Sequence, residues 1–349
     1  MNLLPVLLAF TVAFISTPLV SRLALKIGAV DAPGGRKIHY TAMPRLGGLA
    51  IYAGFMVAAL LSGSLGPQTY GLLVGGTLIF IIGLLDDLFG LNAWTKLLGQ
   101  LSAAGILVFC GIRVEYLTNP FDGLFFLGKF MLPVTILWVV GVTNALNLVD
   151  GLDGLAAGTS IIAAASIAVI TWLEGETGVS LLALALACAA LGFLPHNFYP
   201  ARIFMGDSGS LFLGFNLAVL STMGLAKSAT AISLFIPVVI LGLPICDTFF
   251  AIIRRFLNGK SIFEPDKGHL HHRLLACGLT QRQAVLAIYA VDFCLAGSAV
   301  LLTRLTNAQG VIILVVLAVL ILLGANRLGV MGRPISILRQ KPRRHFFNL

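Results

Sequence analysis

Asn144, Asn147, Asp150 and Asp153 recur at every third position in the stretch Asn144-Ala-Leu-Asn147-Leu-Val-Asp150-Gly-Leu-Asp153-Gly. Two amides and two carboxylates supply oxygen donors, hydrogen-bond donors and proton acceptors together. That set suits a site that handles an anion with a cation beside it. If the segment is helical, each three-residue step turns about 300°, so the four groups drift along one broad side and face a common space. They end an apolar run (Met131 to Val142), where bare polar groups are costly. Gly151 and Gly154 allow a bend or a close approach to a ligand. The plainer alternative is a solvated loop with capping Asn and Asp.

Other clusters have the same character. Asp86-Asp87 closes an apolar run. Adjacent helical residues point about 100° apart, which predicts separate jobs: one acid as general base, the other orienting a cation or Lys96. An ordinary pair of helix-end carboxylates is the alternative. In Met205-Gly206-Asp207-Ser208-Gly209-Ser210, Asp and Ser are good helix N-caps. A helix N-terminus between glycines also attracts phosphate, and Asp207 could add a carboxylate for Mg²⁺, which takes one or two together with substrate phosphates. His269, His271 and His272, with Arg255 upstream, suit a diphosphate through directional donors and positive charge. Zinc is the rival, without a Cys or further His at finger-like spacing. Lys37, His39 and Arg45 sit among glycines in the first polar loop. They read as phosphate contacts or as a topology signal.

The elements that must position these groups are membrane helices. Of 349 residues, 58% are hydrophobic and 11% charged, with mean hydropathy +0.99; soluble domains carry about 25% charge. The fold expected is all-α and polytopic, with about eleven transmembrane helices of roughly 20 residues each. The apolar runs are Leu3–Leu23, Leu46–Gly63, Tyr70–Leu85, Trp94–Gly111, Phe130–Leu148, Leu155–Leu173, Val179–Leu194, Leu211–Leu225, Ala231–Phe250, Ala284–Leu302 and Val311–Ala325. The first lacks a basic leader region and a small-residue cleavage site, so it reads as a retained span. With the loop after it in the cytoplasm, all but four of the 23 Lys and Arg (Arg113, Lys129, Lys227 and Arg304) fall on the cytoplasmic side. The positive-inside rule then gives N-terminus outside and C-terminus inside. Most carboxylates and His39, His196, His269, His271 and His272 crowd that same side. This describes a site open to the cytoplasm rather than a path through the bilayer.

Residues 1–325 form a single polytopic catalytic domain in this reading, with cytoplasmic loops at 24–45, 86–93, 147–154, 195–210 and 251–283. Residues 326–349 form a basic cytoplasmic tail for anionic lipid headgroups. The net charge of +9 is thereby assigned to the membrane, and no nucleic-acid partner is expected. Val114 to Lys129 suits an interfacial aromatic hairpin. Asp292 is expected to make an interhelical hydrogen bond, and the five cysteines to be reduced packing residues.

Taken together these stretches resemble the polyprenyl-phosphate N-acetylhexosamine-1-phosphate transferase superfamily (glycosyltransferase family 4), nearest its bacterial WecA/TagO branch. The matching pieces are D-A-P-G-G-R-K-I-H…P-R-L-G-G (Asp31 to Gly48), D-D-L-F-G-L-N-A-W-T-K (Asp86 to Lys96), N-A-L-N-L-V-D-G-L-D-G-L (Asn144 to Leu155), M-G-D-S-G-S (Met205 to Ser210), P-I-C-D-T…R-R (Pro244 to Arg255) and F-E-P-D-K-G-H-L-H-H-R-L (Phe263 to Leu274). The resemblance implies a ten-helix core plus one C-terminal span in the bacterial inner membrane. It implies transfer of GlcNAc-1-phosphate from UDP-GlcNAc to undecaprenyl phosphate, with UMP released, as the first membrane step of an envelope polysaccharide. By the same likeness Asp207 and Asn147 are ligands of Mg²⁺, with Mn²⁺ as the ion that could replace it. The likeness implies that Asp86 and Asp87 act on the acceptor, that Lys96 contacts phosphate and that His269, His271 and His272 meet the donor diphosphate. From their residue types, Asp150 and Asp153 are expected as further catalytic acids, and Lys37, His39, Arg45, Asn144 and Arg255 as further substrate-binding residues. Partners are the UDP-sugar, the polyprenyl phosphate, membrane lipids and a second copy in a homodimer. The alternatives are an MraY-type transferase of phospho-MurNAc-pentapeptide and a transporter of a phosphorylated or nucleotide solute.

Overall fold

In a computed structural model, the chain is described at residues 3–31, 43–63, 66–118, 124–225, 235–259, 266 and 268–330. Lys37, His39 and the tail from residue 331 lie outside these, as does part of the 251–283 loop. The helices are α1 (Leu4–Ile27), α2 (Gly48–Leu61), α3 (Pro67–Phe89), α4 (Ala93–Phe109), α5 (Met131–Val149), α6 (Leu155–Leu173), α7 (Thr177–Asn197), α8 (Gly206–Leu225), α9 (Phe235–Ile240), α10 (Gly242–Leu257), α11 (Leu270–Ala276), α12 (Gln281–Leu302) and α13 (Asn307–Arg327). Within the described residues, every predicted apolar run falls on a helix.

Among the described residues, seven helices (α1, α3, α5, α6, α7, α12 and α13) are long and apolar enough to cross a membrane, and α2 and α4 are shorter apolar helices. Exposed side chains along α13 are Ile312, Val315, Val316, Val319, Leu320 and Leu323. An apolar face of that extent is untenable in water and ordinary against lipid. Helix α10 is inverted relative to a soluble amphipathic helix: Asp247, Arg254 and Arg255 are buried, while Phe249, Ile252, Phe256 and Leu257 are exposed. The protein is an integral membrane protein.

The run expected as one ninth span is two helices. Pro244 has no N–H to give the carbonyl of Ile240, and Gly242 precedes it, so the chain breaks at Leu241. The two pieces, α9 and α10, both pack on α12. Helix α11 is a short element in the loop that follows.

Helix α8 is the centre of the molecule. Apart from Asp207, all its residues from Gly206 to Gly224 are buried, and it packs on α2, α3, α5, α6 and α7. Its N-terminal turn is reached through positions without side chains. At Gly83 on α3 a Cβ would strike the backbone of Asp207 and Ser208, and at Gly48 the backbone of Gly209. These approaches draw the end of α3 and the start of α2 onto the first turn of α8.

Two small hairpins flank the helices. Val30–Asp31 (β1) pairs antiparallel with Met43–Pro44 (β2). The expected aromatic hairpin forms from Tyr116–Thr118 (β3) and Leu124–Phe126 (β4), with Tyr116 opposite Phe126. All five cysteines are free. Asp292 accepts an interhelical hydrogen bond from the Thr159 hydroxyl at 2.7 Å.

Candidate active site

The N-terminus of α8 gathers the charges. Asp87 accepts from the backbone N–H of Asp207 at 2.8 Å and of Ser208 at 3.0 Å, capping the helix from outside its own chain segment. Its side chain is fully buried and pairs with Nε of Arg45 at 3.1 Å. Asp86 points elsewhere, as the 100° offset predicts: Oδ1 accepts from Leu91 N–H at 2.7 Å and Oδ2 from Lys96 at 3.1 Å. Lys96 is on the first turn of α4, a helix begun by Asn92, whose Oδ1 accepts from Thr95 N–H at 2.8 Å. Asp207 lies between the two cations, with Lys96 Nζ 3.1 Å from Oδ2 and Arg45 Nη2 3.3 Å from Oδ1. Three carboxylates and two cations therefore meet where the positive end of the α8 dipole adds to the field.

Beside this cluster is a cavity of about 470 Å³, lined in part by Asp31, Arg45, Asn147, Asp150, Asp153 and Asp207. Asn147, on the last turn of α5, donates through Nδ2 to the Ser210 hydroxyl at 2.8 Å, turning its amide toward α8. Helix α5 ends at Val149, so Asp150 and Asp153 belong to the turn before α6. Asp150 faces the cavity, but the protein atoms around it push its carboxyl up to about 7, helped by the negative charges of Asp207 and Asp87. Asp153 is buried and accepts from Ala201 N–H at 3.0 Å.

The structure corrects one expectation about the four-residue register. Asn144 does not share the cavity with the other three. Its amide exchanges hydrogen bonds with Gln100 of α4, at 2.7 and 3.2 Å, and donates to Val140 O. Helical periodicity gives a direction and no partner, so an interhelical amide pair looks the same in sequence as a ligand-facing amide. Asp153 lines the cavity with Asn147 and Asp150 and also holds the 197–203 segment through Ala201 N–H.

The histidines lie behind Gly151, a residue of the cavity lining. His269 is buried, with Nδ1 2.8 Å from Asp247 Oδ2, and Asp247 also accepts from Leu270 N–H at 2.8 Å. His271 is buried with its ring against Gly151, where a Cβ would collide with it. Burial, with His272 and His269 nearby, lowers its imidazole to about 4, so it is neutral near pH 7. His272 is exposed and its ring tilts against His271 at 4.2 Å between centroids. Arg255 is buried on α10. The histidine group thus reaches the cavity through Gly151, and His269 serves Asp247 first.

Several supporting residues carried no sequence signal. Asn197 accepts from Gly154 N–H at 3.1 Å and donates to Ile203 O at 2.9 Å. Tyr289 on α12 donates to Gly154 O at 2.5 Å. Both hold the Asp150–Gly154 turn, and neither belongs to a polar cluster in sequence. Asp247 could have been found as a carboxylate within an apolar run.

Fold and cluster together define a polytopic membrane protein with a group of paired acids and cations at the ends of its helices. Residues 69–225 match the family model Glycosyl transferase family 4. A Bacillus subtilis (strain 168) protein named "Probable undecaprenyl-phosphate N-acetylglucosaminyl 1-phosphate transferase" is 46% identical over 325 residues, covering 91% of this chain and 90% of that protein. A Mycobacterium tuberculosis (strain ATCC 25618 / H37Rv) protein named "Decaprenyl-phosphate N-acetylglucosaminephosphotransferase" is 40% identical over 317 residues, covering 81% and 78%. An Escherichia coli O157:H7 protein named "Undecaprenyl-phosphate alpha-N-acetylglucosaminyl 1-phosphate transferase" is 32% identical over 313 residues, covering 86% and 85%. The chain belongs to glycosyl transferase family 4.

Proposed function

We propose that this protein transfers N-acetylglucosamine 1-phosphate from UDP-GlcNAc to a polyprenyl phosphate such as undecaprenyl phosphate. An acceptor phosphate oxygen attacks the sugar-bearing phosphorus, the bond to UMP breaks, and a polyprenyl-diphosphate-GlcNAc remains. The observation that carries this reading is Asp207 held between Lys96 and Arg45 on the wall of a polar cavity. The names of the relatives give the sugar and the lipid.

Both reactants are anionic, so the barrier is largely electrostatic and positional. Lys96 and Arg45 place positive charge where a diphosphate would lie. Asp87 holds the start of α8 and Arg45 in register. The residues also fit Mg²⁺: Asp207 and Asn147 offer oxygen donors beside one cavity, and Mg²⁺ is commonly held by one or two carboxylates and the substrate's own phosphates. Among the described residues no group of three His, Cys, Asp or Glu gathers to hold a metal, which suits an ion shared with substrate better than an all-protein cage. Bound there, Mg²⁺ would neutralise charge on the diphosphate oxygens.

A phosphate monoester has its second pKa near about 6, so the acceptor needs little help to ionise near pH 7. Asp150, raised to about 7 on the cavity wall, takes the remaining proton. The excess of basic residues on this face supports a cytoplasmic placement, where the nucleotide sugar is, while the acceptor's tail stays in the bilayer. A transporter would instead need titratable groups at the membrane midplane, whereas the charged cluster lies at the ends of α3, α5 and α8.

Donor competition tests the assignment. Purified protein in lipid nanodiscs with labelled UDP-GlcNAc and undecaprenyl phosphate should form labelled lipid that excess unlabelled UDP-GlcNAc suppresses and UDP-MurNAc-pentapeptide does not. Suppression by the pentapeptide donor would move the protein to the MurNAc-pentapeptide class.

A further inference from the structure

Helix α10 carries two buried groups that hold one loop at two points. Asp247 takes His269 and Leu270. Arg254, seven residues on and so on the same face, donates through Nε at 3.2 Å and Nη2 at 2.5 Å to Asp266 Oδ2. Asp266 Oδ1 accepts from Gly268 N–H at 2.8 Å, and a side chain at Gly268 would strike the Arg254 guanidinium. The approach to α11 is thereby fixed on both sides. Arg254 has one more arm, Nη1, which donates to the carbonyl of Val330 at 2.5 Å, 76 residues away and just past the end of α13.

A defined turn brings Val330 there. Gly329 has φ 66°, its N–H donates to Asn326 O at 3.1 Å, and Val330 N–H donates to Ala325 O at 2.8 Å. This is the Schellman pattern, with its usual apolar contact between the residue after the glycine and the last helical turn: Val330 packs with Ala325 and Phe250. Arg254 is 5% and Val330 3% exposed. Without that carbonyl, one arm of a buried guanidinium would have no acceptor. Helix α13, otherwise largely lipid-facing, ends in a hydrogen bond that ties it to the residue holding the histidine loop.

We infer that the turn closing α13 is a positioning element of the donor site. Val330 O fixes Arg254, Arg254 fixes Asp266 and Gly268, and these set His271 against Gly151 at the cavity wall. The inference rests on the reading of that wall as the place where the UDP-sugar binds.

The test uses protein in nanodiscs and five chains: wild type, one ending after Gly332, one ending after Arg327, Gly329→Val, and Arg254→Lys. Donor KM and kcat are measured with UDP-GlcNAc. Amide hydrogen exchange over residues 268–276 is measured with no substrate present. The chain ending after Gly332 keeps the turn and should match wild type in both. The chain ending after Arg327 and Gly329→Val should raise donor KM about ten-fold with kcat nearly unchanged. Both should also speed exchange over 268–276 about ten-fold while α3, α5 and α8 stay protected. Arg254→Lys, which keeps Asp266 but cannot also span to Val330, should fall between. Wild-type KM and exchange in the chain ending after Arg327 would overturn the inference, and so would exchange accelerated through the whole chain, which marks loss of fold alone. If wild type does not use UDP-GlcNAc, the functional reading fails, and the exchange comparison by itself decides whether the turn positions the loop.

Discussion

Lys96 Nζ stands 3.1 Å from Oδ2 of Asp207, a residue 111 positions later in the chain, and 3.1 Å from Oδ2 of Asp86. One ammonium thus joins the end of α3 to the start of α8 at the opening turn of α4. Arg45 makes the matching link on the other oxygen of Asp207. With these contacts in place the two cations are held in fixed positions, each paired with two of the carboxylates Asp86, Asp87 and Asp207.

Asp207→Ala removes the carboxylate on which both cations converge. Turnover should fall by about 10²–10³-fold or more, while membrane insertion and monodispersity are retained. Single-turnover kinetics with size-exclusion chromatography checks this. Activity near wild type would take Asp207 out of the site.

Asp86→Asn and Asp87→Asn should separate. The Asp87 side chain is fully buried and accepts two backbone N–H groups and Arg45, so Asp87→Asn, which leaves a single oxygen for these donors, should lower the melting temperature. Asp86 keeps Leu91 N–H as a partner, and its loss should appear in kcat more than in the melting temperature. Thermal melts read beside initial rates decide between them. Equal mild losses from both would contradict the division of roles.

Asp150 gives the pH dependence its sign. Its carboxyl accepts a proton only when ionised, so kcat/KM should rise with pH through about 7. A second limb near about 6 belongs to the acceptor phosphate. For stability the direction is opposite. The folded pKa lies above the ordinary value of 3.8, so the protonated form is favoured in the folded state. That contribution is complete below about 4 and is lost as pH rises through about 7. Asp150→Asn should remove the limb near 7 and leave the one near 6; an unchanged profile would assign the limb to another group.

Asn144→Ala and Gln100→Ala should each cost stability on the scale of an interhelical hydrogen bond in a membrane protein, about 0.6–2 kcal/mol. The double variant should cost less than their sum, because the two amides serve one another. Donor KM should not move in either. A large KM change in Asn144→Ala would return it to the binding site.

The sequence made visible what depends on composition and local order. Apolar runs placed the helices because a bilayer-spanning segment needs continuous apolarity, and the Asp86/Asp87 divergence followed from the turn per residue. What depends on a partner elsewhere in the chain stayed hidden. Asn144 read like Asn147 until Gln100 stood opposite it. Asp153 read like Asp150 until Ala201 N–H took its oxygen. Asp247 and Arg254 were visible as members of the P-I-C-D-T…R-R stretch, but nothing local showed that together they hold the histidine loop. The ninth span's break had a local cue in Gly242 and Pro244, but its apolar composition overrode it in a reading by hydropathy.

The proposed chemistry is tested by following both products at once. Protein in nanodiscs, given labelled UDP-GlcNAc, undecaprenyl phosphate and Mg²⁺, should release UMP and form undecaprenyl-diphosphate-GlcNAc in equal amounts, and a chelator should stop both, with added Mg²⁺ restoring them. UMP without the lipid product, or equal product formation with and without the chelator, would contradict a metal-assisted transfer at the Asp207–Lys96 cluster.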